Sequence, residues 1–181
     1  MKILKYKKIE ASFNPWSAQY FKVAQRVIDF IGTEQFEVIH IGSTSFKVGG
    51  KGIIDLSVLY KNKDLDEAVQ HLLHLGFQDQ ISEKPFPPER PRKDGAVIFN
   101  GTEYLLHIHV IERGSDEHKK QIEYKNYMLN NRTAREEYEA SKKKILADGF
   151  TDQESYGKQK SPYVKSILNA IKESEYVFYK T

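Results

Sequence analysis

The sequence is poor in several features that mark particular classes of protein. It has no cysteine among its 181 residues, which excludes a disulfide framework and is consistent with a reducing compartment. No stretch reaches the apolar length of a signal peptide or of a membrane span. We therefore expect a cytoplasmic protein that has no contact with a membrane.

An excess of charge of one sign is also missing. The 28 lysines and arginines are nearly balanced by 25 aspartates and glutamates, so the net charge is only +3. A large basic field of the kind that attracts nucleic acid is therefore not indicated. Composition argues against nucleic acid as a partner.

The apolar content of the sequence is sufficient for one domain. Hydrophobic residues make up 39% of the chain and aromatic residues 12%, which at this length suits one filled core better than two. We interpret residues 1–181 as a single domain, with a core at about residues 14–112 and a C-terminal helical part at about residues 115–175.

One stretch, His40–Tyr60, concentrates the residues that can carry chemistry. Its Gly42-Ser43-Thr44 turn can bring backbone N–H groups close to an anion, with Lys47 or Lys51 neutralising the charge. The alternative is an ordinary glycine-rich turn between two strands. The strand that follows carries Asp55 and Ser57 on one face, because side chains alternate along a strand.

Alternating and helical patterns predict a small sheet with helices against it. We expect strands near residues 36–41, 53–60, 95–99 and 102–111, the last two joined by Asn100-Gly101, a favoured type I′ hairpin turn. A helix over Pro15–Ile31 is predicted to begin at the Asn14 cap. A second helix is predicted over Asp64–Leu75.

The C-terminal third has helical periodicity. We predict that Ser115 caps one helix, that a capping box at Thr133–Glu136 begins a second, and that Ser161-Pro162 begins a third. The tyrosine-rich tail Tyr176–Tyr179 is expected to pack back on the domain.

Two further segments are candidate parts of a site. The segment Lys84–Asp94 has four prolines and four basic residues and is predicted to be an irregular loop, from which Arg90, Arg92 and Lys93 could close over a polyphosphate; a solvated connection is the alternative. In the last strand His107 and His109 share a face. Two adjacent histidines are poor core material, so this pair suggests a functional site.

Several of these motifs together resemble the GrpB-like family of the nucleotidyltransferase superfold, to which DNA polymerase β-type enzymes belong. The resemblance covers roughly Asn14 to Leu168. Gly52 replaces the usual proline of the family's Lys-Pro-Ile-Ile-Asp pattern. The segments that carry it are His40–Ser45, Lys51–Asp55, His107–Val110, Tyr124–Tyr127, Tyr138 with Lys142, and Tyr156 with Lys160.

The resemblance implies the fold class and a set of site residues. The expected fold is α+β, a two-layer nucleotidyltransferase-like domain with a small mixed sheet and a C-terminal helical region. Nucleotidyltransferases of this superfold hold two Mg²⁺ ions with an Asp-x-Asp strand and a third carboxylate, whereas this sequence has Asp55-Leu56-Ser57. The residues predicted to bind nucleotide phosphate are Gly42, Ser43, Thr44, Ser45, Lys51 and Lys160, and those predicted to bind metal or catalyse are Asp55, His107 and His109.

Two functions from different classes follow. The first is an enzyme that acts on a nucleotide or another phosphorylated small molecule, with a divalent metal such as Mg²⁺ or Mn²⁺ and possible nucleotidyl transfer. The second is a binding module that kept the nucleotide pocket and lost the two-metal chemistry. A nucleic acid-binding accessory protein is a third, weaker option.

Overall fold

A five-stranded mixed sheet supports the site. The computed structural model describes residues 1–82 and 84–178, without the side chains of Gln153 and of residues 174–178. The strands are β1 (Glu37–Ile41), β2 (Ile54–Tyr60), β3 (Gln78–Asp79), β4 (Arg92–Phe99) and β5 (Thr102–Glu112). They lie in the order β1-β2-β5-β4-β3, and only the β2–β5 pair is parallel in the described chain.

Six helices accompany this sheet in the part of the chain that is described. They are α1 (Gln19–Ile31), α2 (Gly42–Ser45), α3 (Leu65–His74), α4 (Asp116–Asn130), α5 (Arg132–Ala147) and α6 (Gln153–Phe178). None of them combines the length and apolar character needed to cross a bilayer. The predicted α+β class, with its mixed sheet and C-terminal helical region, is confirmed.

The two faces of the sheet have different roles because side chains alternate along β2 and β5. Leu56, Val58, Ile108 and Val110 are fully buried and belong to the main hydrophobic core, which includes α1 and α3. The intervening residues, among them Asp55, therefore lie on the opposite face. The helices α4, α5 and α6 build a second apolar cluster on that side around Phe46.

Several predicted turns and caps are confirmed. Asn100 and Gly101 have φ of 49° and 77°, both positive as a type I′ turn requires. The Ser115 hydroxyl accepts a hydrogen bond from the His118 N–H at 3.3 Å, as expected for the residue that begins α4.

The start of the first helix was predicted wrongly. Helix α1 begins at Gln19 and not at Pro15, because the Asn14 backbone is already engaged in an isolated bridge to Gly50, with N···O distances of 2.6 and 3.0 Å. A long-range pairing has thus overridden a local capping signal.

Two helix starts in the C-terminal third were also wrong. Helix α5 is capped by Asn131, whose side-chain oxygen accepts from the Ala134 N–H at 3.0 Å, two residues before the expected capping box. Helix α6 begins at Gln153, where the preceding Asp152 carboxylate accepts from the backbone N–H of Ser155 at 2.9 Å, so that Pro162 lies inside the helix. The predicted packing of Tyr176–Tyr179 concerns side chains that lie outside the described part of the structure.

The predicted loop over Lys84–Asp94 ends earlier than expected. Strand β4 already begins at Arg92, where Arg92 and Asp94 face His109 and His107 of β5 in register. A buried ion pair between Arg92 and Asp94, with Nε···Oδ1 at 2.7 Å, compensates for placing two charged residues in a central part of the sheet.

Candidate functional site

A cavity of about 460 Å³ lies between the polar face of β2–β5 and the C-terminal helices. The Gly42 turn, the segment before β2 and the proline-rich loop complete its wall. Its charged and imidazole side chains are Asp55, Glu117, Lys51, Lys120, Lys125, Lys142, Lys160, Arg90, Arg92, His107 and His109.

Asp55 is the carboxylate at the floor of this cavity. Its Oδ1 accepts a hydrogen bond from His107 Nδ1 at 3.3 Å and lies 3.8 Å from His109 Nε2. The parallel register places Asp55 opposite His107 and Ser57 opposite His109, which is why these side chains share one face. The convergence of Asp55, His107 and His109 expected from the sequence is present.

The N-terminal arm supplies a second hydrogen-bond partner for His107. The Tyr6 hydroxyl lies 3.3 Å from His107 Nε2. Because His107 Nδ1–H donates to the carboxylate, its Nε2 accepts from the Tyr6 O–H, so both ring nitrogens have protein partners. Tyr6 is buried, and nothing in the periodicity of residues 1–13 predicts this contact.

The electrostatics of this cluster keep the carboxylate charged and the imidazole neutral. Burial alone would raise the pKa of Asp55, but hydrogen bonding and Coulomb attraction from His107 and His109 lower the pKa well below its ordinary value. Burial lowers the pKa of His107, against the opposing effect of Asp55. At neutral pH Asp55 is therefore ionised and His107 is neutral.

The lining of the cavity as a whole is strongly cationic. Seven lysine and arginine side chains but only two carboxylates line the cavity. Burial, and then the nearby Lys160, lowers the pKa of Lys51 to about 8. Burial also lowers the pKa of Lys142 well below its ordinary value, and Lys160 again contributes.

Gly42 is required where the turn meets the carboxylate. Its φ of +69° suits glycine, and a Cβ built on it would lie 2.4 Å from Asp55 Oδ2. Only glycine therefore allows the backbone to approach Asp55 this closely.

The structure brings most of the predicted site residues to the cavity. Those that line it are Gly42, Ser43, Lys51, Asp55, His107, His109 and Lys160, and Arg90 and Arg92 of the predicted loop join them. The roles assigned to them from the sequence stay predictions.

Four residues predicted to hold an anion do not line the cavity. Lys47, the alternative to Lys51, is exposed on the loop after the turn. Thr44 and Ser45 are buried, with 3% exposure each, and their hydroxyls bond within the turn, to His40 Nε2 and to the Gly42 carbonyl. Lys93 points away and pairs with Asp79, because it alternates with Arg92 along β4. Their side chains therefore cannot close on a ligand here.

Lys142 is the main residue of the cavity that was not predicted from the sequence. From the sequence it contributed to the family resemblance together with Tyr138, but it was not predicted as a site residue. Lys142, however, is buried together with Tyr138 and Ile145, at positions i, i+4 and i+7 of one helix face. A lysine within this otherwise apolar stripe was the available signal.

Comparison with known proteins agrees with these features. A family model described as GrpB protein matches residues 8–170. The chain belongs to the GrpB family. This GrpB chain is 28% identical over 165 residues to the glutamate-rich protein GrpB of Alkalihalophilus pseudofirmus, covering 86% of the chain and 90% of that relative. It is 25% identical over 155 residues to the UPF0157 protein BH1888 of Halalkalibacterium halodurans, covering 84% and 76%.

A solved structure shows the same fold. The Cid1 poly(U) polymerase, in a structure with Mg and 3′-dATP bound, matches the GrpB chain with a TM-score of 0.51 at 14% identity, covering 80% of the chain and 49% of the polymerase. The GrpB chain thus spans about half the length of that enzyme. The fold is that of nucleotidyltransferases, and the family expected from the sequence is confirmed.

The donor atoms of this GrpB chain do not fit the metal centre that the fold implies. Among the described residues, no three His, Asp or Glu side chains are grouped as metal ligands. Both nitrogens of His107 are engaged by Asp55 and Tyr6, and the Ser57 hydroxyl donates to Gln121 at 2.8 Å where a second carboxylate was expected. Asp55, His107 and His109 form a polar, hydrogen-bonded cluster, without the several free oxygen ligands that Mg²⁺ prefers.

Proposed function

We propose that the chain binds a nucleotide or another phosphorylated small molecule in the cavity beside Gly42. The observation that carries this proposal is the lining of that cavity, in which seven lysine and arginine side chains accompany two carboxylates. Such a surplus of positive charge in a concave, partly desolvated site attracts an anion and strengthens each contact with it.

The apolar part of the lining supports an organic ligand and not a bare inorganic ion. Ligand sites in proteins combine hydrophobic walls with a few polar groups that fix orientation. The apolar and aromatic residues that line this cavity include Phe46, Phe86, Tyr124, Val164 and Leu168. Its volume of about 460 Å³ is within the range of small-molecule sites, roughly 300–1,000 Å³.

Binding is tested by calorimetry with a matched pair of lysine variants. ATP, GTP, CTP and UTP are titrated into the parent protein, and the best ligand into Lys51→Ala and Lys47→Ala. Lys51 lines the cavity, whereas Lys47 is exposed on the same loop. We expect Lys51→Ala to weaken binding about tenfold, with little change in stability, and Lys47→Ala to bind like the parent. No affinity of the parent for any of the four at millimolar concentration would contradict the proposal.

Nucleotidyl transfer is a second candidate function. It is favoured by Asp55, which lines the cavity beside the Gly42 turn and keeps 27% of its side chain exposed. Because Ser57 takes the place of a second carboxylate, we expect pyrophosphate release from nucleotides with Mg²⁺ or Mn²⁺ to be slow or absent, as for a binding module that has lost the transfer chemistry. Robust turnover by the parent protein would instead assign it to the enzymes.

A further inference from the structure

Three lysines from separate parts of the chain line the cavity that contains Asp55. Lys51 precedes β2, Lys142 belongs to α5 and Lys160 to α6, and all three line the cavity. Their charges act on one another, since Lys51 and Lys160 each lower the pKa of Lys142 by Coulomb repulsion, after the larger effect of burial.

Lys142 and Lys51 contact a backbone carbonyl and aromatic rings, where charged partners would be expected. Lys142 is 3% exposed, donates to the Gly49 carbonyl at 2.9 Å and lies 4.3 Å from the centre of the Tyr138 ring. Lys51 Nζ lies 5.1 Å from the centre of the Tyr156 ring. Such contacts stabilise an ammonium group but leave its charge uncompensated.

Among the described residues, no carboxylate oxygen lies within 4.0 Å of the ammonium groups of these three lysines. Lys142 is repelled by Lys160 and Lys51 and attracted chiefly by Asp55, which already accepts from His107. A cluster of desolvated cations is costly without an opposing charge. An anion bound among them would supply that charge.

The same arrangement is unfavourable for a divalent cation. A metal ion beside Asp55 would share the cavity with Lys51, Lys142, Lys160 and Arg92, each of which repels it. It would also have to compete for a carboxylate oxygen already bonded to His107.

We infer that Lys51, Lys142 and Lys160 contact the phosphate groups of the ligand directly and replace the divalent ion, so that the ligand class is a metal-free phosphorylated anion. This inference rests on the proposed function. It departs from the two-metal arrangement that the fold implies.

The test compares binding with and without divalent cations. ATP and inorganic tripolyphosphate are titrated calorimetrically into the full chain, once in EDTA and once in excess Mg²⁺ or Mn²⁺. We expect affinity in EDTA to equal or exceed that with metal, because a metal ion on the ligand neutralises the charge that the lysines recognise. Lys160→Met should weaken binding in EDTA about tenfold or more, and Lys158→Met should leave it unchanged, since Lys158 is exposed on the same helix outside the cavity.

The outcomes separate this inference from the function on which it rests. Binding that requires Mg²⁺ or Mn²⁺ would overturn the inference and leave the proposed function standing. Equal loss in Lys160→Met and Lys158→Met would overturn it as well, because the contact would then be non-specific. No binding of either probe under both conditions would overturn the proposed function and this inference together.

Discussion

Replacement of Gly42 by alanine tests the contact on which the site geometry depends. Gly42 has φ of +69°, and an added Cβ would lie 2.4 Å from Asp55 Oδ2 and 2.8 Å from its Cβ. The left-handed conformation costs a non-glycine residue about 1–2 kcal/mol. The carboxylate must also move, and loss of its hydrogen bond to His107 costs about 1–3 kcal/mol. We expect the Gly42→Ala variant to lose about 2–5 kcal/mol in free energy of unfolding.

Gly101→Ala is the matched control for this prediction. Gly101 has φ of +77° and no atom within 4 Å of an added Cβ, so this variant carries the backbone cost alone. Urea unfolding of both variants, with m-values compared to the parent, gives the difference directly. We expect Gly42→Ala to be less stable than Gly101→Ala by about 1–3 kcal/mol. Equal losses in the two variants would refute the close approach of the turn to Asp55.

Three further predictions concern pH and metal. Burial, and then Lys125, lowers the pKa of His40 from 6.5 to about 4, so the unfolded chain binds an extra proton as the pH falls. The contribution of His40 should therefore lower the free energy of unfolding by about 2 kcal/mol between pH 7 and pH 5. Urea unfolding should show a smaller drop in His40→Gln. An equal drop in the variant would contradict the assignment of this pH dependence to His40. The pKa of Lys51 is about 8, and Asp55 and Arg92 also act on it. A bound anion raises this pKa, so calorimetry should show that ATP affinity falls as the pH rises through about 8, and less steeply in Lys51→Arg. A flat profile in the parent would count against the contact between Lys51 and the anion. Ser57→Asp adds a carboxylate beside Asp55, so Mn²⁺ should raise the melting temperature of the variant but not of the parent, and a rise in the parent would contradict the account of the donor atoms.

The sheet could be predicted from the sequence because its signals are local. Alternation placed Asp55 with Ser57, and His107 with His109, on shared faces, and Asn100-Gly101 specified its own turn. The pairing of β2 with β5, which joins the two faces, is not a local property and came from the resemblance to a family.

The structural features that were predicted wrongly or missed are those that long-range contacts determine. Asn14 carries a cap signal, yet its backbone pairs with Gly50, and a short arm without periodicity brings Tyr6 to His107, 101 residues away. Lys142 was missed for a different reason. Lysine side chains are ordinarily solvated, whereas the position of Lys142 on the buried stripe of α5 determines that it faces the cavity.

The most direct test of the central claim is a crystal structure of the chain with ATP bound in the presence of EDTA. The account predicts phosphate oxygens within hydrogen-bond distance, about 2.7–3.2 Å, of the Lys51, Lys142 and Lys160 ammonium groups, beside the Gly42 turn. A nucleotide found instead in the second pocket, lined by Arg132, Arg135 and Lys143, with the cavity beside Asp55 left to solvent, would contradict it.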